Sequence, residues 1–252
     1  MRQKDLKVAS KVAIPKVLLS KGNTNYKTSK NEHRTWILYL SPHTQNDKGV
    51  NVCPFASSGC IVACLYTAGR GQMSSVQLAR RRKTDYWVAY KKAFYLQLAK
   101  EIKTKIAYYA KRGETIAFRL NGTSDIDHIK ALRAFANLDI KDYVDNAIFY
   151  DYTPNIHMAI KYKNHPNYVV SFSKKEDNDH NVEIAMQNSI NVAVVFGGDL
   201  PEFYKGKRVV DGDSSDMIMV YNRNVVLGLK AKGAAKKDES GFVVKVNELA
   251  YV

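Results

Sequence analysis

The 252-residue sequence predicts an α/β fold built on parallel strands. Three observations carry that expectation. Runs of branched and aromatic residues alternate with runs of helical period across most of the chain, the signature of successive βαβ units. Polar and acidic residues gather just after these strand-like runs, where α/β folds place their binding edge. All three cysteines, Cys53, Cys60 and Cys64, fall in one C-x6-C-x3-C run directly after the first strong strand signal.

In chain order, residues 1–34 form a polar, Lys-rich extension, with a strand or short helix over 8–19 and an exposed loop over 22–33. Residues 35–40 read as a buried strand ended by Ser41-Pro42. The cysteine loop spans 53–71. Apolar residues then recur at three- and four-residue steps over 74–112, a helical stretch long enough to require a break. Ser74 and Ser75 are its candidate N-caps. Strands follow at 115–120, 146–151, 167–173 and 191–196, with 208–211 as a sixth. Helices are expected at 126–138, at 154–162 with Pro154 in its first turn, and at 181–188. Short strands are expected at 217–221, 225–229 and 242–246. The whole reads as one domain over 1–252, an α/β barrel-like core at 35–216 followed by a C-terminal β segment at 217–252. The fold class is thus α/β, a partial (β/α)6-type TIM-like barrel with extra N-terminal helices and a short C-terminal β segment.

Three thiols within twelve residues do not suit a disulfide framework, and the chain opens Met-Arg-Gln-Lys with no apolar run behind it. A reducing compartment is expected, where clustered cysteines serve as metal ligands or catalytic groups. Zinc favours closer Cys pairs and four ligands. A 4Fe–4S cluster is held by thiolates in short runs, and three of them leave one iron open. Three buried, unliganded cysteines are the plainer reading. The spacing of Cys60 and Cys64 puts them on one face if a helix begins there.

Around the strand ends, Arg119, Asn121, Ser124, Asp125, Tyr150, Asp151, Ser171, Ser173, Asp211, Asp213 and Asp216 are the candidate pocket residues. The last three could hold a divalent metal through oxygen ligands, or simply make a turn. His128 is the histidine best placed for proton transfer. Neither an EF-hand loop nor a P-loop signature occurs. The balance of 39 basic against 24 acidic side chains gives +15, which points to an anionic partner, DNA foremost. Candidate phosphate contacts are Arg70, the run Arg80, Arg81, Arg82 and Lys83, and Lys230, Lys232, Lys236 and Lys237. Four consecutive basic residues point all around a helix, so only part of that run can face one backbone.

The motifs CPFASSGCIVACLYTAGRG, RLNGTSDI, FYDYT, VVSFS, VVDGDSSD and GLKAKG together resemble the phage "gene product 88" family, over most of the chain from Trp36 to Val244. That resemblance implies a bacteriophage protein of the host bacterial cytoplasm and supplies no activity. At fold level the chain is also similar to radical S-adenosylmethionine enzymes, which place a three-Cys cluster loop after the first strand of a partial barrel. Their usual C-x3-C-x2-C differs from the spacing here, and Asn121-Gly122-Thr123 matches their Gly-rich segment only loosely. The expected function is a phage iron–sulfur protein that binds nucleic acid in phage DNA metabolism. The alternatives are a radical enzyme using S-adenosylmethionine and a metal-dependent nuclease.

Overall fold

The alternation in the sequence folds as one mostly parallel sheet of ten strands. The computed structural model describes residues 12–24, 26–64, 66 and 69–246. In chain order the strands are β1 (Leu19–Lys21), β2 (Arg34–Leu38), β3 (Ile116–Arg119), β4 (Ala147–Thr153), β5 (Tyr168–Ser173), β6 (Val192–Phe196), β7 (Phe203–Tyr204), β8 (Lys207–Asp211), β9 (Val226–Lys230) and β10 (Val243–Val244). In space they run β1-β2-β3-β4-β5-β6-β9-β8-β7, with β10 against β6. From β2 to β8 the neighbours are parallel, and only the end strands β1 and β7 are antiparallel to theirs. The sheet is open, with β1 and β7 as its edges. The expected α/β class with a parallel core is formed, and the sheet does not close into a barrel.

The helices are α1 (Tyr26–Ser29), α2 (Ser58–Val62), α3 (Ser74–Ala89), α4 (Lys91–Ala110), α5 (His128–Ala136), α6 (Ile156–Tyr162), α7 (Asp179–Gln187) and α8 (Ile218–Tyr221). Strands β2 to β6 are neighbours in both sequence and space, so right-handed crossovers carry their helices to one face. On that face Phe118, Phe149 and Phe172 pack with Phe94, Leu98, Leu132, Ala159 and Val182 of α4 to α7. The rings of Phe118 and Phe149 stack at 5.0 Å. The opposite face holds the intervening residues of the strands, Ala117, Tyr150, Val169, Ala193 and Leu227, covered by Met217 and Met219.

Several expectations change. The long helical stretch does break, at Tyr90, whose φ of −135° and ψ of 54° leave the helical region. Its N-cap is Met73 with no side-chain cap, and Ser74 is already helical. Pro154 precedes the N-cap Asn155 of α6 rather than lying in its first turn. Residues 217–221, expected as a strand, form a helical turn. Asp216 and Ser215 start the turn, and its apolar residues lie flat on the sheet face instead of pairing with an edge. The strand expected at 225–229 is β9, which sits inside the sheet between β6 and β8. The exposed loop expected at 22–33 contains α1 and a buried Thr28. The element expected at 8–19 falls partly outside the described residues; its last residue begins β1.

One approach of the chain to the sheet leaves no room for a side chain. Gly122, just beyond β3, donates its N–H to Leu38 O at 3.0 Å. A Cβ there would lie 2.6 Å from the Tyr39 ring and 2.7 Å from Ile37 Cγ2. Gly122→Ala is expected to lower stability by about 1–3 kcal/mol, read as a lower urea midpoint; an unchanged midpoint would show that the loop does not depend on this contact.

Candidate functional site

The cysteine loop leaves the C-terminal end of β2 and is sewn back onto the sheet by the loop after β3. Asp125 N donates to Val52 O at 2.8 Å. The Cys53 Sγ lies 3.7 Å from Thr123 O and accepts from His43 N at 3.4 Å. Ser57 caps α2, its Oγ accepting from Cys60 N at 3.4 Å. Glu176, in the loop after β5, closes the helix start. It accepts from Gly59 N at 2.7 Å and from Ser57 Oγ at 2.6 Å. A Cβ on Gly59 would meet the Ser240 hydroxyl and this carboxylate, and those two side chains would have to shift to admit it. Burial pushes the Glu176 pKa up, but the Ser57 hydroxyl and the Gly59 amide outweigh it, and the group lies below its ordinary value.

The three thiols are half-buried and not joined by disulfides. Burial pushes Cys53 up to about 11 and Cys60 up to about 12, and raises Cys64 as well. Cys53 and Cys60 each feel the charge of Cys64 and of Asp125, so the loop gathers these groups at one place. Arg80 of α3 lies beside them. Its guanidinium is 4.7 Å from the Tyr39 ring and 5.7 Å from that of Tyr66, and its charge acts on Cys64. Its Nε and Nη1 are buried with no hydrogen-bond partner among the described residues. Among the described residues no three Cys, His, Asp or Glu side chains already stand in a metal-holding arrangement.

The strand-end loop itself is tightly held. Asp151 of β4 accepts from Asn121 N at 2.7 Å and from Tyr168 OH at 3.0 Å. Asn121 Oδ1 in turn accepts from Ser124 Oγ and from Ile126 N, both at 2.9 Å. Thr153 Oγ1 donates to Asp125 Oδ1. Asp125 Oδ2 is buried without a partner among the described residues. Burial raises Asp125 to about 6 and Asp151 to about 7. Next to Asp125 opens a cavity of about 490 Å3, walled by Pro54, Phe55, Trp87, Asp125, Met158 and Lys161 among others.

Residues 17–246 match the family model described as Gene product 88. The chain belongs to the gene product 88 family. The match spans the cysteine loop, the strand-end loops and the motifs that suggested a phage protein. No curated protein and no solved structure matches the chain. No described helix is long and apolar enough to cross a membrane.

The remaining predicted residues scatter. Arg119, Tyr150 and Asp216 meet on the opposite face of the sheet, with Tyr150 OH at 3.0 Å and Arg119 Nη1 at 3.4 Å from Asp216 Oδ2. Lys27 of α1 completes the group at 2.6 Å from Asp216 Oδ1. Asp216 is thus committed to an ion network. Asp213 takes Lys232 at 2.6 Å and the Lys230 amide at 2.9 Å, and Asp211 Oδ1 accepts from Asp213 N. The acidic loop is therefore a turn and ion-pair segment whose three carboxylates do not gather at one point among the described residues. Ser171 is buried within β5 and Ser173 closes it, its carbonyl accepting from Asn178.

The basic run disperses as its helical spacing requires. Arg80 turns to the thiols, Arg81 pairs with Asp47 and Arg82 is exposed. Lys83 is buried, donates to Leu18 O at 2.6 Å, and is lowered by burial to about 8. It cannot reach a phosphate. Lys230 pairs with Asp199 at 3.0 Å, while Arg70, Lys236 and Lys237 stay exposed. His128 is buried against Tyr95 OH at 3.1 Å, and burial lowers it to about 3, which favours the neutral ring. Glu176, Thr153 and Trp87 were missed. No motif marks them, since each matters only through a contact made in the folded chain.

Asp151 gives the site a pH signature. Its folded pKa lies above the ordinary 3.8, at about 7, so the folded chain holds this proton more tightly. That contribution is complete below the unfolded value and is lost as pH rises through about 7. Urea midpoints measured between about pH 4 and pH 8 should fall with rising pH, and Asp151→Asn should flatten that slope. An identical slope in the variant would assign it to other groups.

Proposed function

We propose that this chain holds a 4Fe–4S cluster on Cys53, Cys60 and Cys64 and that the cluster serves an enzyme site at the C-terminal edge of the sheet. The observation that carries this reading is one loop that brings three half-buried thiols within electrostatic reach of one another, with a guanidinium beside Cys64 whose Nε and Nη1 lack partners among the described residues. A buried cation with unsatisfied donors is costly alone and is relieved by a nearby anion. Thiolates around a cluster provide that anion. The donor set fits in chemistry: soft sulfur ligands in one loop, held between the β3 loop and Glu176.

Such a cluster, held by three thiolates, supplies an iron with an open position for a substrate or cofactor. Binding would require the three thiols to give up their protons. Arg80 would then compensate the charge at Cys64, and Asp125 lies near Cys53 and Cys60 and lines the cavity. S-adenosylmethionine is one candidate for the open position, consistent with a cysteine loop placed after the first parallel strand. Nucleic acid is the macromolecular partner that the net charge of +15 favours, through the exposed Arg70, Arg82, Lys236 and Lys237. A salt-dependent gel shift tests that part, and absence of binding at low salt removes it.

Anaerobic reconstitution with iron and sulfide should give about four iron and four sulfide per chain with broad visible absorption. Cys53→Ser, Cys60→Ser and Cys64→Ser should each lose most of both while keeping a cooperative unfolding transition. Protein that takes up zinc alone, or iron unaffected by all three variants, would overturn the reading.

A further inference from the structure

The cavity beside the cysteine loop has a built character that the cluster does not explain. Its volume of about 490 Å3 falls in the range of small-molecule sites. Its walls combine the rings of Trp87 and Phe55 with Pro54 and Met158, while Asp125 and Lys161 bring charge. Asp125 is only 8% exposed. One carboxylate oxygen accepts from Thr153; the other is buried with no partner among the described residues. A buried acceptor left unsatisfied costs free energy that a ligand N–H would recover.

The surroundings narrow the donor. A cation would suit a carboxylate beside aromatic rings, but Lys161 already lines the cavity and Lys91 lies next to it over the Trp87 ring. Lys91 Nζ sits 4.4 Å from the centroid of the Trp87 ring. Lys161 Nζ is 2.8 Å from Asp127, which also lines the cavity. A third ammonium would meet Lys91 and would shed its hydration against the apolar walls, so a neutral N–H donor on a flat apolar body fits better. Phe55, 43% exposed, offers a ring on which a planar heterocycle can lie, next to the mostly buried Trp87. Lys161, with its side chain half-exposed, suits an anionic substituent at the edge.

We propose that this cavity binds a nucleobase bearing an exocyclic amine, as nucleoside or nucleotide, with the ring against Phe55 close to Trp87 and the amine donating to Asp125. Carboxylates accept from such amines in base recognition. The inference stands apart from the cluster, since no cysteine is required for this contact.

The chain has two tryptophans, so Trp36→Phe leaves Trp87 as the sole indole reporter. Titration of that protein with adenosine, inosine, cytidine and uridine, followed by Trp fluorescence, tests the proposal. Adenosine or cytidine should quench saturably, at least about tenfold more tightly than inosine or uridine, in keeping with the loss of one buried hydrogen bond. Asp125→Asn should abolish that preference. Because Asp125 also holds Thr153, Phe55→Ala provides a second variant at a more exposed wall, expected to weaken binding severalfold without changing the preference for the amine. Repeating the titration in a Cys53→Ser, Cys60→Ser, Cys64→Ser background separates the two readings: binding that persists there supports the cavity even where no cluster forms. Absence of saturable quenching in every background, equal affinity for amine and keto bases, or tighter binding of a simple alkylammonium would overturn it.

Discussion

The turn from Asn121 to Asp125 is the constraint on which the site depends. It is fixed on one side by the Asp151 carboxyl, which takes the Asn121 amide at 2.7 Å. On the other side it hands that order to the cysteine loop, through Asp125 N to Val52 O and through Thr123 O to Cys53. Gly122 lets the turn lie against Tyr39 and Ile37 with no side chain between. Apart from α2, the loop before Cys64 has little regular structure of its own. β3 stops about three residues short of β4, and the turn that follows it reaches over to hold the cysteine loop through Val52 and Cys53. The same turn brings Asp125 to both the thiols and the cavity.

The opposite face of the sheet shows how the chain spends its charge. Asp216 is fully buried among Lys27, Arg119, Tyr150 and Tyr152. Burial raises its pKa, but Lys27 and Arg119 outweigh that and hold the carboxylate below its ordinary value. Asn31 adds a hydrogen bond to its amide at 3.0 Å. A buried ion network of this kind contributes little net stability against an apolar substitute, yet losing one member leaves an uncompensated charge. Its effect here is positional: it ties α1 to the segment that starts α8. The basic excess is therefore not a uniform surface. Arg80, Lys83 and Arg119 turn inward, and Lys230 and Lys232 pair with acidic neighbours.

Much of this was legible in the sequence where local pattern and tertiary role agree. The branched and aromatic runs at β2 to β6 pack on both faces of the sheet, so their composition declares them. The cysteine loop and the Asn121 to Asp125 turn could be named because cysteine, glycine and acidic residues have few reasons to cluster. Residues 217–221 were misread because a short apolar run fits a strand and a buried helical turn equally well. The strand order beyond β6, with β9 set between β6 and β8, was not legible, since it depends on how remote strands pair, which no single segment encodes. The diverging fates of Arg80 to Lys83 follow from helical geometry, but which residue meets the thiols depends on where α3 docks. Glu176 was invisible for the same reason: its partner, Gly59, is remote in sequence and adjacent only after folding.

The central claim is that three thiolates of this loop hold a four-iron cluster with one iron left open. Mössbauer spectroscopy of protein reconstituted with iron-57 addresses it directly. The account predicts a cluster spectrum in which one iron site is distinct from the other three and shifts when a small ligand is added. A spectrum of isolated ferrous or ferric iron would contradict it, as would four equivalent sites indifferent to added ligand.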